Sequence, residues 1–313
     1  AGLDSVPYLT NETIFAVTDQ VAHLLVIGGG PIGVEMAQAQ RRLGAKVTLV
    51  DMVRLLPKDD ADLVDFVRTA LVADGIDLKE RTNIVRLEKN ADGITVHLAN
   101  NEGAAETITV SHVLVAVGRK PRTQGLGLDN ANVALRGDAI AVDQRLRTSN
   151  KHIYAIGDVT AKLQLAHVAE AQGIVAAETI SGAETMTLGD YRMMPRATFC
   201  QPQVASFGLT EAQAKDEGYA VKVTTFPFSA NGKAQGLAET AGFVKLITDT
   251  THDELLGAHL VGDNVSEFLP ELTLAQKWDL TAKELARNVH THPTMSEALQ
   301  EVFHGAIGHM INL

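Results

Sequence analysis

The sequence has 313 residues, 45% hydrophobic and 21% charged, with a formal net charge of −11, a balance typical of ordinary globular proteins and ample for two or three domains. That charge argues against a nucleic-acid partner, whose phosphates need a basic face. No apolar run approaches the roughly 20 residues of a transmembrane helix, and the amino terminus lacks the basic-then-apolar build of a signal peptide. A single cysteine, Cys200, leaves no disulfide framework, so a reducing, cytoplasmic location is expected.

The most informative stretch is "HLLVIGGGPIGVEMAQAQRRLGAKVTLVD", residues 23–51. "HLLVIG" predicts a buried strand, "GVEMAQAQRRLG" a helix closed by Gly44, and "KVTLVD" a second buried strand, together a βαβ unit. Gly28, Gly30 and Gly33 stand between strand and helix in the spacing G-x-G-x-x-G. In a dinucleotide site the first permits the tight turn, the second lets backbone approach a pyrophosphate, and the third allows helix to pack on strand. The phosphates then meet the positive end of the helix. Asp51, about 20 residues on, is placed to accept hydrogen bonds from an adenosine ribose, which favours NAD over NADP. Arg54 just beyond it introduces a cation that would suit a phosphate.

Downstream, "GITVHLA", "ETITV" and "HVLVAVGRKP" read as strands, the last ending at Gly118 and Arg119. "HIYAIGD" predicts a strand with Asp158 at its carboxyl end, before a helix beginning at "LAHVAEAQG"; ligand binding and simple helix capping both fit that acid. "PQVASFGLTEAQAKDEGYAVKVTTFPF", "GFVKLITD" and "ELLGAHLVG" read as strands around a helix, followed by a helix at "NVSEFLPELTLAQKWDL", with Trp278 expected in the core. Cys200 reads as a small buried residue.

Near the end, "NVHTHPTMSEALQE" sets His292 five residues before Glu297. The two could be a base and its orienting carboxylate. "TMSE" equally fits a capping box with Thr294 as N-cap, and spacing alone favours capping. Leu299, Val302, Phe303, Ala306, Ile307 and Met310 form an apolar stripe. His290, His292, His304 and His309 have no supporting carboxylate or cysteine arrangement, so no metal is expected.

"GGGPIG" with "VTLVD", "VAVGRKP", "IYAIGDV" with "LAHVAEAQG", and "HTHPTMSEALQE" occur in the order found in the pyridine nucleotide-disulfide oxidoreductases. From about Val6 onward the chain most resembles the members that oxidise dihydrolipoamide. The resemblance implies an α/β architecture: a Rossmann-like NAD-binding domain over residues 1–118, a central flavin-contacting segment, the remnant of a flavin-binding domain, over 119–189, and an α+β interface or dimerisation domain over 190–313. It implies that Gly28, Gly29, Gly30, Pro31, Ile32, Gly33, Val34, Glu35 and Asp51 hold NAD, with Ile84 and Gly118 lining the same site. Asp158, with Gln164, Leu165, Ala166 and His167, would contact FAD. His292 would be the base, Glu297 its partner, and the His292–Pro293 peptide cis. It further implies a homodimer and, as substrate, a lipoyl-bearing protein of a 2-oxo acid dehydrogenase complex.

Members of that family begin with a flavin domain carrying its own glycine fingerprint and a Cys-x4-Cys pair, and neither occurs in this sequence. The resemblance therefore implies a shortened chain, inactive alone, whose histidine serves thiols not encoded in it. A non-catalytic NAD-binding and dimerisation module is the alternative, as is a related flavoprotein disulfide reductase. Glutathione reductase shares the histidine motif, but Asp51 fits NAD rather than its NADP.

Overall fold

His23–Ile27 form β1, and its three central residues are buried, as expected of an apolar run in a strand covered on both faces. The chain turns through Gly28–Gly30 into α1 (Pro31–Arg42), where proline at the helix start lacks only an N–H that the helix could not pair. The helix ends at Leu43, and Gly44 leaves it at φ 100°, a left-handed exit that glycine permits. β2 (Lys46–Val50) lies parallel to β1, with His23 beside Lys46 and Ile27 beside Val50. The βαβ unit is thus present where the sequence predicts it.

The computed structural model describes residues 1–312. Past β2 come α2 (Ala61–Ala73), β3 (Asp77–Lys79), β4 (Thr82–Asn90), β5 (Gly93–Asn100), β6 (Ala105–Val110) and β7 (His112–Val115). β3, β2, β1 and β7 form a parallel sheet in that order, while β4, β5 and β6 form a separate antiparallel sheet. α2 buries Leu63, Val64, Val67 and Leu71 along one face, and the Asp60 carboxylate caps it by accepting from the Asp62 amide.

Residues Gly118–Met194 make a compact unit of their own. It holds the short hairpin β8 (Leu135–Arg136) and β9 (Ala139–Ile140), a 3-10 turn over Gly157–Thr160, and α3 (Ala166–Ser181), which Gly182 closes at φ 75°. The strand expected at "HIYAIGD" is not formed. Tyr154 makes only an isolated bridge to Arg147, and Asp158 lies in the 3-10 turn. The backbone nearby is committed to a local loop: the Thr148 amide donates to Ile153 O at 3.0 Å and the Ala155 amide to Leu146 O at 3.1 Å. An apolar run that pairs only with its own short loop does not extend into a strand.

The remaining elements are β10 (Arg196–Thr198), β11 (Gln203–Gly208), α4 (Glu211–Asp216), β12 (Val221–Pro227), α5 (Gly232–Leu237), β13 (Phe243–Asp249), β14 (Leu255–Gly262), α6 (Leu269–Lys277), α7 (Ala282–Leu285) and α8 (Glu297–Ala306). The antiparallel sheet runs β10-β11-β14-β13-β12, every residue of β13 and β14 is buried, and α8 packs on β12 and β13. Trp278 departs from expectation: it is 61% exposed. It follows the last residue of α6, where the backbone turns out of the helix, while Leu269, Leu272 and Ala275 take the inward face.

Ala1–Val117 and Pro195–Leu313 together form the second compact unit. Val67 and Leu71 of α2 share one apolar cluster with Val204, Phe243 and Val261 of the antiparallel sheet. At its margin Lys245 Nζ of β13 reaches Asp60 Oδ1 at 3.0 Å and Oδ2 at 3.1 Å and also pairs with Asp62. Burial alone pulls Lys245 down, but its hydrogen bonds to Asp62 and Asp60 outweigh that and raise it above the usual lysine value.

Candidate functional site

The glycine loop is shaped so that side chains are excluded where backbone must pass. Gly28 sits at φ 109°, and a Cβ there would meet Ala116 O at 2.5 Å. A Cβ on Gly33 would fall 1.8 Å from Gly28 O, so this position is closed to any side chain. At Gly30 a Cβ would meet nothing within 4 Å, leaving open space beside the start of α1. That helix opens without a side-chain cap, so nothing in the chain's own side chains takes the place an anion would occupy. These features fit a dinucleotide pyrophosphate.

Asp51, directly after β2, accepts from the Gly29 amide through Oδ2 at 2.5 Å and from the Val53 amide through Oδ1 at 2.8 Å. It is therefore fixed against the loop as well as placed at the strand end. Arg54 is engaged elsewhere: its guanidinium donates to the carbonyls of Leu55, Pro57 and Asp59. Ile84, on β4, packs against the cluster that includes Leu25 and Val50. Glu35, on α1, accepts from the Phe199 amide at 2.8 Å, and burial pushes its carboxyl above the usual range. It lines a cavity of about 370 Å³ with Gln38, Arg42, Phe199 and Cys200. Cys200 is buried, and that burial pushes its thiol up to about 12, which leaves no thiolate for catalysis near neutral pH.

Within Gly118–Met194, Gly118 has φ 125° and Asp158 pairs with Arg119 Nε at 3.3 Å. α3 begins after Leu165 without a side-chain cap, and Gln164 Nε2 is buried with no hydrogen-bond partner among the described residues. An orphaned donor beside an uncapped helix start fits a polar ligand such as the flavin. The Arg119–Asp158 pair lies outside what the sequence reading assigns, although both residues stand in its motifs.

His292 Nδ1 lies 2.8 Å from Glu297 Oε1, and the His292–Pro293 peptide is cis. Glu297 Oε2 accepts from the Thr294 amide at 2.8 Å. Half of the expected capping box is therefore present. The other half is not: α8 begins at Glu297 after Ser296, and Thr294 Oγ1 donates to Thr291 O instead. Burial pushes Glu297 up, but the Thr294 amide, the His292 ring and the charges of His292 and His290 together hold it below the usual carboxylate range. Such an anion fixes the ring with its proton on Nδ1 and leaves Nε2 as the basic nitrogen. The His292 side chain is 78% exposed. His290 and Glu271, which the sequence reading does not pair, form a second imidazole–carboxylate contact at 3.1 Å. Among the described residues no group of three or more His, Cys, Asp and Glu side chains is arranged to hold a metal ion.

Residues 2–173 match the family described as pyridine nucleotide-disulphide oxidoreductase, and residues 194–303 match its dimerisation domain. A dihydrolipoyl dehydrogenase of Mycobacterium tuberculosis is 56% identical over 291 residues, covering 92% of this chain and 62% of the relative. One from Corynebacterium glutamicum is 54% identical over 314 residues, covering 96% of this chain and 67% of the relative. Among solved structures, the HOCl-induced flavoprotein disulfide reductase RclA from Escherichia coli superposes with a TM-score of 0.88 at 30% identity, over 96% of this chain and 69% of that one. This chain thus spans about 62% of the length of the mycobacterial relative. The glycine loop, the paired His292 and Glu297, and these likenesses agree, and the chain belongs to the pyridine nucleotide-disulphide oxidoreductases, in their dihydrolipoyl dehydrogenase group.

Proposed function

We propose that the complete protein is an NAD-dependent flavoprotein that oxidises dihydrolipoamide carried on a lipoyl-bearing protein of a 2-oxo acid dehydrogenase complex. The observation that carries this reading is the His292–Glu297 contact at 2.8 Å on an exposed ring. The 56% identity to a dihydrolipoyl dehydrogenase favours it over the broader disulfide-reductase reading, whose solved relative is 30% identical.

In this reading residues 1–118 form the NAD domain, 119–189 the flavin-contacting segment and 190–313 the dimer interface. Gly28 to Glu35 and Asp51 hold NAD, with Ile84 and Gly118 at its edge; Asp158 and Gln164 to His167 contact FAD. When bound, the cofactors would supply the redox chemistry: the dithiol would reduce the family's Cys-x4-Cys disulfide, which does not occur in this sequence, and the electron pair would pass on to FAD and then to NAD as hydride. The chain's own part is proton transfer and placement. A dithiol is mostly protonated near neutral pH, and only its thiolate attacks a disulfide. His292 Nε2 takes that proton, while Nδ1 keeps its own and donates it to Glu297 Oε1. Glu297 thereby fixes the tautomer and stabilises the imidazolium. Asp51 selects NAD, since a 2′-phosphate would face its carboxylate. The protein works as a homodimer in the cytoplasm, where its one buried cysteine needs no oxidising environment.

The test is steady-state oxidation of dihydrolipoamide by the complete, flavin-loaded protein with NAD and NADP compared. Formation of NADH, with NADP much poorer, is the expected result. A flavin-loaded protein that forms no NADH from dihydrolipoamide would refute the reading.

A further inference from the structure

The segment that carries His292 is gripped twice. Glu271, on α6, accepts from Asn288 Nδ2 at 3.0 Å and from His290 Nε2, which lies 3.1 Å from Oε1 and 3.2 Å from Oε2. Glu297, opening α8, accepts from the His292 ring and the Thr294 amide. Two carboxylates from two helices each take one imidazole and one amide, and the imidazoles are two residues apart. Their surroundings differ: the His290 side chain is 4% exposed, against 78% for His292.

A ring held against both oxygens of a carboxylate is favoured as the cation, while its removal from water opposes that. The hydrogen bond to Glu271 outweighs burial and, with the Glu271 charge and the Asn288 carbonyl, raises His290 above its ordinary value. No close hydrogen bond to His290 Nδ1 is made among the described residues. His290 stands two residues before His292, whose ring Glu297 holds; against the burial that pushes Glu297 up, the His290 charge adds to the Thr294 amide, the His292 ring and the His292 charge in holding Glu297 below the usual carboxylate range.

Other ionisable groups of the neighbouring elements are occupied or remote. On α7, Lys283 pairs with Asp253 at 2.9 Å and Glu284 is held by the Thr281 amide at 2.8 Å. On β12, Lys222 reaches the Gly305 and Ala306 carbonyls at the far end of α8. Arg287 is exposed ahead of the segment, and His304 lies in the last turn of α8.

We propose that His290, clamped by Glu271, is a positioning residue for the reaction: it anchors the segment bearing His292 and, as the cation of that clamp, adds to the groups that hold Glu297 as an anion. The proposal rests on the reading of His292 as the base. With the cation removed, the surroundings of the His292–Glu297 pair become more negative, and proton removal from the substrate is expected to need a higher pH.

Two measurements test this. In the chain itself, with glutamate carboxyls labelled for NMR, His290→Gln should move the Glu297 titration to higher pH. Glu271→Gln should move it to lower pH, because His290 is still charged in that acidic range while a neighbouring anion is lost. A purely structural anchor would loosen the segment in both variants and move Glu297 upward in both; that result, or no movement, overturns the proposal. In the complete enzyme, His290→Gln should shift the ascending limb of kcat against pH upward, with kcat recovering at alkaline pH and NAD affinity unchanged. Opposite shifts of Glu297 with an unmoved rate profile would instead overturn the assignment of His292 as base, and the catalytic role of His290 with it.

Discussion

Glu297 divides its carboxylate between two duties, with Oε1 on the His292 ring at 2.8 Å and Oε2 on the Thr294 amide at 2.8 Å. The contact expected of a base's partner and the backward contact of the half-formed capping box, which compete as readings of the sequence, use different oxygens of one side chain. In the complete enzyme, His292→Gln should lower dihydrolipoamide turnover by about 10²-fold or more and leave NAD binding nearly unchanged. Glu297→Gln should cost less, since the amide oxygen still accepts one of the two bonds. Glu297→Ala loses both and should also destabilise the start of α8 by about 1 kcal/mol. Kinetics and denaturant titration separate the effects; a silent His292→Gln would leave Glu297 only its cap.

Asp51 holds the Gly29 amide as well as having the proposed role of receiving the ribose. Calorimetric titration should find NAD(H) bound at least tenfold more tightly than NADP(H), roughly 1.4 kcal/mol. Asp51→Ala should narrow the gap and weaken NAD itself, because the loop loses a tether. Equal affinities in the unaltered protein would remove the role given to Asp51.

The flavin contacts proposed within Gly118–Met194 centre on Asp158, which pairs with Arg119, and the orphaned Gln164 amide, which is little to retain a large cofactor. The purified chain of this length should lose added FAD on gel filtration and show no lipoamide reduction with NADH. Retention of a visible flavin spectrum would show these contacts to be sufficient.

Lys245 and Asp60 are 7% and 10% exposed at the margin of a shared core. Lys245→Ala strands a buried carboxylate and should destabilise the chain by about 3–5 kcal/mol. Lys245→Met with Asp60→Asn should recover much of that loss in urea unfolding. Asp62 is mostly exposed and contributes less.

The His290–Glu271 pair should also mark stability against pH. His290 is raised in the fold, so its contribution is complete below its unfolded value, about 6.5, and fades as pH rises through the folded one. Glu271 is lowered: burial pushes it up, but its hydrogen bonds to His290 and Asn288 and the His290 charge outweigh that. Its contribution is complete above about 4.3 and fades as pH falls through the folded value. The stability difference between the unaltered chain and Glu271→Gln should therefore peak between these limits and shrink on either side.

The βαβ unit was legible because its cues are local: apolar runs, three spaced glycines and an acid at a strand end. "HIYAIGD" has the same apolar look, but whether a strand extends depends on a neighbour to pair with, and here the loop bonds to itself. α2 shows regular spacing at Leu63, Val64, Val67 and Leu71 yet is absent from the sequence reading, which turns on motif residues rather than on periodicity between them. His290 and Glu271 come from α6 and the segment before α8, with no motif spacing to join them. Folding alone makes the pair. The same holds for Lys245 and Asp60, which lie 185 positions apart.

Because Val67 and Leu71 share an apolar cluster with Val204, Phe243 and Val261, the first 117 residues do not close their core by themselves. A ribosome making this chain delivers one side of that core, then all of residues 118–194, and only afterwards the strands that complete it. At about 5–20 residues per second the early half waits several seconds with α2 uncovered. During that interval the nascent chain exposes the apolar face of α2, surface of the kind that makes unfinished chains prone to aggregate.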